Sequence, residues 1–151
     1  MFWSADWAWG LPLLVATVVL HVCALLLIGM ALIRISPRPN GRRKPIVFIV
    51  AVALTALAAA SLHGLEAALW AAVFVALGAL PDMHDALLYS LGAITSYGHV
   101  GIYLEDRWKL LGAIEAVNGL ILFGLTTAFL FAAIQGMSPL RSAWNSRDAP
   151  P

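Results

Sequence analysis

Charge is scarce in this chain. Asp, Glu, Lys and Arg make up 11% of its 151 residues, where a soluble domain carries about 25%. A soluble globular domain and a disordered chain are both excluded, since disorder needs low hydrophobicity and high charge. Sulfur is scarce as well. Cys23 is the only cysteine, which rules out an intrachain disulfide and any cysteine-based metal cage. The net charge of +1 gives no basic surface for nucleic acid. No serine, cysteine or histidine constellation points to an enzyme, and no internal repeat is visible. Apolar residues, by contrast, reach 62%. The composition is that of a one-domain, all-α integral membrane protein.

No charged residue lies between Asp6 and Arg34. The apolar stretch from Leu11 to Ile33 exceeds the roughly 20 residues a span needs. No Lys or Arg precedes it, and it is too long for the h-region of a signal peptide. The segment from Arg34 to Pro45 holds five of the nine basic residues, with three prolines and a glycine. A short basic loop of this kind stays cytoplasmic. The N-terminus, with Trp3, Trp7 and Trp9 as an interfacial belt, is then outside. Residues 1–45 thus form a first span and a basic cytoplasmic loop.

A second region follows over 46–137. Residues 46–80 contain one charge, Glu66, and fit one long outer helix better than two spans. Pro81-Asp82-Met83-His84-Asp85 is a helix start, with Asp82 as the cap and Asp85 adding negative charge to the first turn. The helix over 82–94 is about 20 Å long, too short to cross, and reads as a re-entrant half-helix. The loop 95–101 (Thr95, Ser96, Tyr97, Gly98, His99, Val100, Gly101) is not helical in character. Such backbone at membrane depth is tolerated only against protein or a watery cavity. An inner helix over 108–135 carries Glu115, and residues 138–151 form a short cytoplasmic tail. The expected fold is three transmembrane helices, with a re-entrant pore half-helix and a filter-like loop between the second and third.

The order of long helix, capped half-helix, Thr/Ser-Gly loop and inner helix is that of a pore-loop cation channel. Several stretches carry the resemblance: His63-Gly64-Leu65-Glu66, Gly78-Ala79-Leu80-Pro81-Asp82, Tyr89-Ser90-Leu91, Thr95-Ser96 with Gly98, Leu110 to Gly119, and Leu122-Phe123-Gly124 with Thr126 to Phe131. Over about residues 60–135 the chain resembles a family of small bacterial potassium-channel-like proteins. That family's filter reads Thr-Thr-x-Gly-Tyr-Gly-Asp. Here His99 replaces the filter tyrosine, Val100 the second glycine, and Gly101 stands at the aspartate position. A potassium filter aims successive carbonyls at the ion, and a β-branched residue at positive φ is an outlier. The outer half of the ladder is therefore not expected to form, and K⁺ selectivity should be altered or weakened.

The resemblance implies a homotetramer in the bacterial inner membrane, with the N-terminus outside and the C-terminus cytoplasmic. It would pass monovalent cations passively, with no cofactor and no resident metal. Glu115, Asn118 and Glu66 are candidate supports of the filter. Gly112, Ala116 and Gly119 form one small-residue face. Gly119 and Gly124 are candidate gating bends, with close helix packing as the alternative, and Thr126 and Thr127 are candidate cavity-lining hydroxyls. Protonation of His99 at the mouth should repel cations, so acid should reduce current.

Two further readings stay open. A non-conducting subunit could modulate a partner. His21 and His63 lie about 20 and 26 Å from the cytoplasmic loop along their helices, at a similar depth, and could hold a haem. Glu66, three residues after His63, lies on the same helical face, where a local His–Glu contact is the simpler expectation.

Overall fold

The computed structural model describes residues 3–35, 45–98 and 101–137. Most of these residues are helical, and no strand lies among them. The helices are α1 (Trp3–Ile35), α2 (Pro45–Ala76), α3 (Met83–Ile94) and α4 (Lys109–Met137), the last preceded by a 3₁₀ turn over Asp106–Trp108. Three segments are long and apolar enough to cross a membrane: Ala5–Arg34, Pro45–Ala76 and Asp106–Met137. Their outward faces are apolar. Leu26, Leu57, Leu120 and Phe131 are all more than 60% exposed, a surface suited to lipid rather than water.

Helix directions follow from side-chain pairing. Asp6 meets Leu111, Thr17 meets Asn118 and His21 meets Thr126, so α1 and α4 run parallel. A cleft lined by Ile28, Leu32, Ile46, Val50 and Leu54 joins the end of α1 to the start of α2, so these two run antiparallel.

The second span ends earlier than the sequence reading to Leu80. α2 stops at Ala76 because Gly78 takes φ +64°. The Gly78 N–H then reaches Val75 O and the Ala79 N–H reaches Phe74 O, the pattern that closes a helix on a left-handed glycine. The chain turns over and α3 begins. The Asp82 carboxylate accepts the Asp85 N–H at 2.9 Å, as its cap position predicts. α4 likewise runs two residues beyond the expected Gln135.

α3 packs between α2 and α4. Trp70 and Phe74 of α2 are fully buried against it. The Phe74 ring meets the Tyr89 ring edge-on, with centroids 5.3 Å apart, a favoured aromatic geometry.

Candidate functional site

Glycines on α4 make the seat for α3. A Cβ at Gly112 would strike the Tyr89 hydroxyl, and one at Gly119 would strike the backbone of Ile94. α3 therefore descends alongside α4, with Tyr89 level with Gly112 and its last residue level with Gly119. Gly119 lies ten residues into α4, about 15 Å along the axis. That is about a third of the way along α4, which has 29 residues. α3 itself has 12 residues, about 18 Å of helix.

The chain leaves α3 at that level. The Thr95 N–H and hydroxyl both donate to Leu91 O. Ser96 then takes φ +57° and Gly98 φ +90°. A left-handed serine is uncommon and carries a strain of about 1–3 kcal/mol. The Gly98 N–H returns to Gly92 O and holds the turn closed. Thr95, Ser96, Tyr97 and Gly98 are all exposed, and Tyr97 is 82% exposed. A cavity of about 270 Å³ opens beside them, lined by Tyr89, Leu91, Gly92, Thr95, Tyr97 and Gly98 among others. Gly101, exposed at φ +80°, begins the return to α4. His99 and Val100 lie outside the described residues. So do most of the basic loop and residues 138–151.

The three candidate support residues divide between two places. Glu115 is fully buried on α4 and lies against Ser90 and Tyr89 of α3. Neither its carboxylate nor the Ser90 hydroxyl attains full hydrogen-bond geometry with a partner. Asn118 turns the other way, toward α1, and its Nδ2 donates to Thr17 Oγ1 at 2.8 Å. The Thr17 hydroxyl donates in turn to the carbonyls of Leu13 and Leu14.

Glu66 lies in a second polar centre, between α1, α2 and α4. Its Oε1 is 2.8 Å from His21 Nδ1, and its Oε2 is 3.4 Å from His63 Nδ1. On the far side of both rings stands Thr126, whose Oγ1 is 2.9 Å from His21 Nε2 and 3.2 Å from His63 Nε2. The Phe123 ring stacks on His63 with centroids 4.4 Å apart. His21, Glu66, His63 and Thr126 are all buried.

Among the inner-helix candidates, Thr126 thus belongs to this cluster, while Thr127 is exposed. Ala116 is half-buried, and Gly124 is exposed with nothing near its Cβ position. The local His63–Glu66 contact was expected from their spacing. The larger partners, His21 and Thr126, come from other helices. Asp6, which accepts the Leu111 N–H, had no assigned role. Its only sequence signal is a lone acid in a tryptophan-rich, otherwise uncharged terminus. No protein-family model, curated protein or solved structure matches the chain.

Proposed function

We propose that this chain is the subunit of a homotetrameric, potassium-channel-like pore-loop cation channel, passing monovalent cations passively with weakened K⁺ selectivity. One observation carries the reading. α3 is too short to cross a bilayer, has Tyr89 level with the first turn of α4, and ends against Gly119, ten residues into that helix. Counted from the start of α4 that is about 15 Å, half of a hydrocarbon layer of about 30 Å. In a membrane it would be a re-entrant half-helix, and the loop that follows would lie at mid-depth.

Exposed polar backbone at that depth is costly against lipid. Copies meeting about an axis remove the cost, because Thr95 to Gly98 then face a watery lumen rather than acyl chains. The carbonyl end of α3 brings the negative end of its dipole to the same point, which favours a cation there. One loop per chain cannot close a ring. The number four and the bacterial inner membrane come from the family resemblance. The basic loop after α1 supports an orientation with the N-terminus outside.

The test is ion flux into liposomes holding the purified protein, with K⁺, Na⁺ and Cs⁺ gradients. Cation flux with little preference for K⁺ is expected. Gly98→Ala should abolish it, since a Cβ at φ +90° is strained. A well-folded oligomer that passes none of the three ions contradicts the proposal. If that oligomer also co-purifies with another membrane protein, the chain is a non-conducting, modulatory subunit.

A haem between His21 and His63 fits poorly. Axial ligands face each other across the macrocycle. Here both Nδ1 atoms converge on Glu66 and both Nε2 atoms on Thr126, with ring centroids 5.2 Å apart.

A further inference from the structure

We propose that His21, His63 and Glu66 bind a transition-metal ion of the Zn²⁺ type. The cluster holds fewer protons than its contacts need. Four nitrogen–oxygen contacts close the ring of His21, Glu66, His63 and Thr126, at 2.8, 2.9, 3.2 and 3.4 Å. Each contact needs a proton to be attractive. Two neutral imidazoles supply one N–H each and the threonine supplies its hydroxyl. The ionised carboxylate supplies none. Whatever tautomers are chosen, three protons serve four contacts, and one lone pair must face another.

The structure places that shortfall between His63 Nδ1 and Glu66 Oε2. Both atoms are buried without a hydrogen-bond partner. The Glu66 side chain is 0% exposed, and among the described residues its ion-pair partners are the two histidines alone. A dry carboxylate facing an imidazole lone pair demands a cation.

A proton and a metal ion would both meet that demand, and distance favours the metal. A charge-assisted N–H···O bond closes to about 2.7–2.9 Å, whereas this gap is 3.4 Å. Two ligand atoms at about 2.0–2.1 Å from a tetrahedral Zn²⁺ stand about 3.3 Å apart. The donor atoms of His21, His63 and Glu66 all lie within 4.8 Å of one another. His21 Nδ1, a hydrogen-bond distance of 2.8 Å from Glu66 Oε1, would first pass its proton to Nε2. With both Nδ1 atoms on the ion, both Nε2–H groups then donate to Thr126 Oγ1, which fixes the two rings in the orientation ligation needs.

Imidazole nitrogen with one carboxylate suits Zn²⁺ and its neighbours rather than Ca²⁺ or Mg²⁺. The ion would tie α1 to α2 beside the inner helix, with the two histidines and Glu66 as ligands and the second Glu66 oxygen or a water in the fourth position. It is independent of the conduction reading, since metal content is measured without any flux.

The full-length protein in detergent is stripped with chelator and dialysed against Zn²⁺ or Co²⁺. We expect one equivalent of metal per chain, and Co²⁺ visible bands of four-coordinate intensity. His63→Gln and Glu66→Gln should lose both. Thr126→Val keeps the ligands and should weaken affinity about 10–100-fold. His84→Ala, in the exposed Asp82–His84–Asp85 group, should change nothing. Wild-type protein that takes up neither metal overturns the proposal, as does uptake that survives in His63→Gln or disappears in His84→Ala. If the cluster variants fail to fold, the wild-type Co²⁺ spectrum together with His84→Ala decides.

Discussion

Gly119 of α4 lies directly against the carbonyl of Ile94, the final residue of α3, so closely that a methyl group would collide with it. This contact sets how far α3 descends. Gly119→Ala must push the α3 end away or strain it, at a cost of about 1–3 kcal/mol. A lowered unfolding midpoint in detergent is the expected result. Gly124→Ala, five residues further on in open space, should leave that midpoint unchanged or slightly raised. Equal effects at the two positions would mean that the glycines matter only as flexible points.

Asp6 fastens the start of α4 to α1. Its carboxylate accepts the Leu111 N–H at 3.1 Å and is 2% exposed. N–H groups in a first helical turn lack partners within the helix. Asp6→Ala should therefore cost about 0.5–2 kcal/mol, the range for a lost helix cap. Denaturation followed by helical circular dichroism measures it.

The Thr17–Asn118 bond joins the same two helices at mid-span. Thr17→Val and Asn118→Leu should each destabilise, and the double variant should lose less than their sum. Interhelical hydrogen bonds in membrane proteins average about 0.6 kcal/mol, so a coupling energy of that size is expected from the double-mutant cycle. Full additivity would show that the bond contributes nothing.

Asp82 caps α3 through the Asp85 N–H. Asp82→Ala should destabilise the protein by about 1 kcal/mol. Asp85→Asn keeps the N–H that Asp82 accepts and should be milder. Thermal unfolding of the two variants compares them directly.

The chain's elements are easier to read from sequence than their mutual rotation. Span length, the basic loop and the Pro81-Asp82 start locate α2, α3 and α4 within a few residues, because each signal is local; α1 begins at Trp3, eight residues before the apolar stretch that starts at Leu11. The early end of α2 was also readable, since Gly78 marks a left-handed helix stop. Depth arithmetic gives His21 and His63 similar depths, about 20 and 26 Å, and their rings are 5.2 Å apart. Which face of each helix turns inward is another matter. The spans are apolar on every side, so periodicity does not orient them. That is why Glu66 shows local contact with His63 from its spacing, while its bond to His21 and the shared Thr126 hydroxyl emerge only once three helices are packed. Asn118, grouped in sequence with the loop, turns to Thr17 for the same reason.

The central claim is that the turn at Ser96 faces a water-filled path at mid-membrane. The most direct test is a Ser96→Cys substitution in a Cys23→Ser background, reconstituted in liposomes. A small, charged, membrane-impermeant thiol reagent added to the N-terminal side should react with that cysteine and block cation flux. Protection from the charged reagent, together with labelling by an apolar one dissolved in the lipid, would put the turn against acyl chains and contradict the account.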